Sequence, residues 1–230
     1  SAVAHFDTSG LTLIQLPAVR SDGTDFNTLL RDDGTGADGA HMQNRIHMLC
    51  TALADFTPDV LITELFPFGR RILRDEFRHL LDAAHKMTPP PLILCSIRDI
   101  LAPPGKPSKA AFAEDMVARS YDGVLVHSDP DLVPLERSWP VSDTLARQLP
   151  YTGFVAPAAP PFGAPPHGAI VVSAGGGAVG EAVFAAACDA ARMTPDQPWL
   201  LLVGGDQPRR DGMAASAPGK GAVAGTVKVT

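Results

Sequence analysis

The sequence is short of cysteine, of excess positive charge and of long apolar runs, and each shortage excludes something. Its three cysteines, Cys50, Cys95 and Cys188, are odd in number, far apart and set in apolar runs. That argues against a disulfide framework and for buried free thiols in a reducing compartment. No CxxC or Cys/His spacing suggests zinc, so no metal site is expected. Lys and Arg number 19 against 25 Asp and Glu, a net charge of −6 with a pI of about 5.6. A nucleic-acid partner calls for a basic face and is not expected, although a local basic pocket for a phosphorylated ligand remains compatible with this charge. No apolar run approaches the ~20 residues of a membrane span, and no signal-peptide pattern is present. The expected location is cytoplasmic.

What is present is a packed, layered chain: 45% of its 230 residues are hydrophobic and 19% charged. Apolar runs at 11–17, 59–66, 91–97 and 123–129 read as strands. Helical spacing occupies 40–56, 69–87, 109–121 and 141–149, and 151–157 reads as a strand or exit segment. Buried-type strands alternating with helices predict an α/β domain, a parallel sheet with helices on both faces, over 1–156. A proline-rich stretch at 157–168 reads as a semi-rigid linker. A second strand–turn–helix–strand unit follows over 169–206, and 207–230 reads as a disordered tail. One such unit cannot bury both faces of its sheet. It must lean on the first domain, pair with another copy or chain, or be a fragment.

The second unit opens with "AIVVSAGGGAVGEAVF", in which Gly175, Gly177 and Gly180 satisfy GxGxxG between a strand and a helix. Glycine permits a tight turn and close backbone approach, and the free N–H groups of the helix start suit an anion. Ser173 adds a hydroxyl. The other reading is a tight turn in which Gly180 serves only helix–strand packing. A dinucleotide site requires an acidic residue after the next strand, where Asp206 stands slightly late.

The segments "QLPAVRSDGTDFNTLL", "PDVLITELFPFGRR", "PPPLILCSIRDIL", "YDGVLVHSDPDLVPLE", "YTGFVAP" and "VSAGGGAVG" resemble a bacterial family of predicted glycosyltransferases. That family is related to the N-acetylglucosaminyltransferase of peptidoglycan lipid-intermediate synthesis and is glycosyltransferase family 28-like. The resemblance covers 11–205. It implies a GT-B fold: two Rossmann-like domains, the first holding an acceptor and the second a nucleoside diphosphate sugar. Ser173, Gly175, Gly176 and Gly177 would face the donor phosphates, and neither a cofactor nor a metal is implied. The family's first strand and its glycine/histidine loop would precede Ser1, and its donor-specific part would follow Gly205. The chain is therefore expected to be truncated at both ends and weakly active or inactive by itself. A lipid-borne acceptor would imply peripheral membrane contact, yet no amphipathic basic helix supports that.

Ligands of open α/β sheets bind at the carboxyl ends of strands. Four places qualify. Glu64 could orient or deprotonate an acceptor hydroxyl, or pair with Arg70 or Arg71 to hold its loop. Arg70 and Arg71 open a helix, where positive charge is unfavourable, which points to contact with a ligand or carboxylate. Ser96, Arg98 and Asp99 form a site loop or an internal Arg–Asp brace. His127, followed by Ser128, could contact substrate or be a hydrogen-bonded structural histidine. His41, His47, His79 and His85 fall on helix patterns as ordinary residues, and Asp22 and Asp25 read as turn and capping residues. Two other functions stay open: an NAD(P)-dependent oxidoreductase using the same glycine turn, and a non-catalytic fragment that binds a nucleotide or partner.

Overall fold

The computed structural model describes residues 9–21, 28–156, 168–175, 180–204, 207–217 and 221–224. They fall into two compact units, one within 8–157 and one within 158–230.

In the first unit, a two-residue antiparallel ribbon joins β1 (Arg20–Ser21) to β2 (Leu29–Leu30). Helix α1 (Gly39–Phe56) starts where the Asp38 carboxylate accepts from the His41 N–H at 2.8 Å, and ends at Thr57 in a left-handed conformation. Strand β3 (Val60–Glu64) leads through a 3₁₀ turn to α2 (Arg74–His85). Strand β4 (Leu92–Arg98), α3 (Pro107–Ser120), β5 (Gly123–His127) and the single turn α4 (Asp143–Ala146) follow. The three longer strands are parallel in the order β3–β4–β5. Pro107 sits in the first turn of α3, where its missing N–H costs no hydrogen bond.

Alternation along the strands sends Ile93, Cys95, Ile97, Val124 and Val126 to one face, where each is buried. Buried side chains from all four helices, among them Leu53, Leu81, Val117 and Leu145, join that face in one cluster. Phe66 stacks on Phe77 at 4.5 Å, and Phe68 meets Trp139 edge-on at 5.3 Å. Between α1 and α2, Arg45 makes a two-pronged ion pair with Glu76 at 2.8 and 2.9 Å, both residues buried, and also donates to the Pro17 carbonyl.

Two expectations are corrected here. Apolar runs predict helices on both faces of this sheet, but among the described residues the opposite face is exposed along β3 and the start of β4: Val60, Ile62 and Leu92 are 45%, 53% and 47% exposed. Likewise, 11–17 is no strand, and Leu11, Leu13 and Ile14 stand exposed. An apolar pattern becomes a strand only where a neighbour completes its hydrogen-bond ladder. This segment is held at its end instead, through Pro17 and through the Ala18 carbonyl, which accepts from His41 Nε2 at 3.1 Å.

The second unit runs β6 (Ile170–Ser173), α5 (Glu181–Met193), β7 (Trp199–Leu202), α6 (Gln207–Ser216) and β8 (Gly221–Ala224). Its strands are parallel in the order β6–β7–β8. Phe184, Cys188, Leu201 and Val203 form a small core against which Met213 of α6 packs. Part of the stretch read as a disordered tail is thus a helix and a strand. Weak local preferences give way to the ladder that β7 offers and to the packing of Met213.

Candidate functional site

Glu64, Ser96, Arg98 and His127 come from three strands and share the open face of the first sheet at its carboxyl end. The register places Glu64 beside Ser96, and Arg98 beside His127. Beyond Glu64 the chain makes a tight loop in which Leu65 and Arg70 both take left-handed backbone angles, φ 68 and 51°. Such angles persist only where neighbours enforce them. The Leu65 N–H donates to the Ser96 carbonyl at 2.8 Å, and the Gly69 N–H to the Leu65 carbonyl at 2.7 Å. A Cβ on Gly69 would stand 2.7 Å from Leu65 Cδ2, so a larger residue there would force the Leu65 side chain to shift. Underneath, Thr63 and Tyr121 hydroxyls lie 2.8 Å apart and both reach the Phe66 carbonyl, at 3.2 and 3.1 Å. Burial pushes the Tyr121 phenol and the Cys95 thiol well up, against a smaller opposing effect of the Thr63 hydrogen bond, so both stay protonated. The loop so held delivers Arg70 to Glu64, and the two form an ion pair near solvent. Arg71 turns back to donate to the Phe68 carbonyl.

The next two strands supply a hydrogen-bonded chain. Ser96 Oγ lies 2.8 Å from His127 Nε2, and His127 Nδ1 lies 2.8 Å from Thr152 Oγ1. Thr152 is within reach because Tyr151 bridges to Val126 beside β5. Sequence reasoning passed over Thr152; a hydroxyl residue opening the segment after the last strand of the sheet was the available signal. Arg98 and Asp99 do not brace each other: Arg98 Nε donates to the Ile100 carbonyl and Asp99 accepts from the Ile100 N–H, each at 2.9 Å. Ser128 is buried and donates to the Val133 carbonyl at 2.8 Å, a structural role.

In the second unit, the Gly175 N–H donates to Ser173 Oγ at 3.2 Å, and Gly175 takes φ 83° with open space where a Cβ would stand. Gly180, at φ 86°, caps α5, and a Cβ there would lie 2.2 Å from that of Ala174. Close helix–strand packing alone requires this glycine. Gly176, Gly177, Asp206, Asp22 and Asp25 lie outside the described residues. The first helical residue, Glu181, is paired with Arg209 at 2.7 Å. Arg209, 14% exposed at its side chain, also donates to the Gly204 carbonyl at 2.8 Å and lies over the Phe184 ring. It belongs to the stretch read as a tail; Pro208, suited to a helix's first turn, was the overlooked sign of a helix there. A groove of about 320 Å³ runs along α5 beside α6, past Cys188, Arg192 and Met213. Among the described residues, no three His, Cys, Asp or Glu side chains are grouped to hold a metal, and no helix is long and apolar enough to cross a membrane.

Strands alternating with helices in two parallel three-stranded sheets define an α/β protein built of Rossmann-like units. The chain matches no protein-family model and no curated protein. Among solved structures it is similar to the crystal structure of TarM, with a TM-score of 0.47 and 9% identity over 92% of this chain. It spans 41% of that structure's length, and a likeness so distant assigns no activity. The resemblance to the glycosyltransferase 28-like family therefore rests on its motifs alone.

Proposed function

We propose that the protein transfers a sugar from a nucleoside diphosphate sugar to a hydroxyl acceptor, with the two units as the halves of a GT-B enzyme. The observation that supports this best is His127, hydrogen-bonded at the carboxyl end of a parallel sheet to Ser96, which pairs in register with Glu64 on the adjacent strand. An imidazole in that place suits the removal of a proton from an acceptor hydroxyl. Glu64 and Arg70 offer a carboxylate and a cation to orient the acceptor. In the second unit, Ser173, Gly175, Gly176, Gly177 and Gly180 would receive the donor diphosphate, with backbone N–H groups stabilising the charge that develops on the leaving group. Arg98 would add a cation at the first sheet.

Thermal-shift titration with UDP, UDP-sugars, GDP-sugars and NAD tests this reading. A ligand at a hundred times its Kd stabilises by about 2.7 kcal/mol, a readily visible shift. Stabilisation by a nucleoside diphosphate or its sugar is the expected result. A response to NAD alone would point to an oxidoreductase and overturn sugar transfer. With an active donor–acceptor pair, His127→Gln is expected to slow transfer by roughly 10²–10⁴-fold.

A further inference from the structure

The hydrogen bonds around His127 determine which of its nitrogens carries the proton. Thr152 Oγ1 faces two carbonyl oxygens, Gly153 at 3.0 Å and Val126 at 3.3 Å. Carbonyls only accept, and a hydroxyl has one hydrogen. Were that hydrogen aimed at His127 Nδ1, the Thr152 lone pairs would be left against both carbonyls. Directed at a carbonyl, it leaves Oγ1 free to accept, so Nδ1, 2.8 Å away, must donate. The neutral ring then has a bare Nε2, and the Ser96 hydroxyl, 2.8 Å from it, donates.

We propose that Thr152 is a positioning residue that holds His127 as the Nδ1–H tautomer, so that His127 Nε2 draws a proton through Ser96 from an acceptor hydroxyl. The proposal rests on the reading of His127 as the base of sugar transfer. In the step, the acceptor oxygen bonds to the anomeric carbon of the donor, and the bond from that carbon to the diphosphate breaks, the diphosphate keeping the electron pair. The acceptor proton passes to Ser96 Oγ, and the Ser96 hydrogen passes to Nε2. The imidazolium keeps both contacts, Nδ1–H to Thr152 and Nε2–H to Ser96, so no heavy atom of the relay need move. The flanking charges have partners of their own, Glu64 with Arg70 and Arg98 with the Ile100 carbonyl, and neither competes for the ring.

Long-range ¹H–¹⁵N correlation spectra of the imidazole rings, recorded where they are neutral, test this directly. The chain has seven histidines, so His127 is assigned by the signal lost in His127→Gln. The expected pattern is a protonated Nδ1 and a bare Nε2 in the native protein, lost toward the Nε2–H form in Thr152→Val and restored in Thr152→Ser. An Nε2–H tautomer in the native protein, or one unchanged by Thr152→Val, overturns the relay whether or not any variant is active. In a transfer assay, Thr152→Val is expected to lower kcat by roughly tenfold or more with KM unchanged. Thermal stabilisation by NAD alone, with the Nδ1–H tautomer present, overturns sugar transfer and leaves the hydrogen bonds that fix the His127 ring standing.

Discussion

Single residues carry most of the local geometry, and two glycines separate conformation from packing. Gly175 and Gly180 share a left-handed backbone, but only at Gly180 does a neighbour occupy the Cβ position. Gly175→Ala is expected to cost only the conformational ~1–2 kcal/mol. Gly180→Ala adds a clash with Ala174 worth about 1–3 kcal/mol more. Denaturant melts of the two variants check this, and equal losses would show that packing at Gly180 is unimportant. Asp38 makes a prediction in pH. The His41 N–H, then Arg31, hold its carboxyl below the ordinary value of 3.8. A depressed folded-state pKa gives stability that is present above about pH 4 and lost as the pH falls through the lowered value. Unfolding midpoints from pH 5 downward are expected to drop more steeply in the native protein than in Asp38→Asn, which still caps α1 but does not titrate.

At the scale of elements, the clasp between α1 and α2 and the two faces of the first sheet are the points to test. Glu76→Gln leaves Arg45 buried without a counter-charge and is expected to cost about 3–5 kcal/mol in urea unfolding, whereas replacing both residues by methionine is expected to cost far less. Ile93, on the covered face, and Ile62, on the open one, make a matched pair. Ile93→Ala is expected to lose about 2–5 kcal/mol and Ile62→Ala less than about 1 kcal/mol. Similar losses would mean that the open face is covered in solution. These elements also show what could be read in advance. The long helical patterns and the runs at 59–66, 91–97 and 123–129 correspond to α1, α2, β3, β4 and β5, because each signal repeats over several turns or alternations. The segment 11–17 has an equally apolar pattern and forms no strand, since pairing is a property of two segments and a pattern belongs to one.

For the whole molecule, the two units differ in how much they bury. The core of the first draws on four helices and a sheet, whereas among the described residues of the second six hydrophobic side chains are buried, Phe184, Cys188, Leu201 and Val203 in one cluster and Ala187 and Ala191 also on α5. Expressed alone, residues 8–157 are expected to unfold cooperatively by calorimetry and residues 158–230 to melt broadly or not at all. A sharp transition in the isolated second unit would overturn this. By itself, the sequence determined the alternation of strand and helix and the strand-end positions of Glu64, Ser96, Arg98 and His127, because periodicity and order along a strand are local properties. Only the tertiary structure decided that Ser96 and His127 bond, that Thr152 joins them, that Glu64 takes Arg70 and that Arg209 takes Glu181. Each of these depends on strand register and loop path, which arise from contacts between residues far apart in the chain.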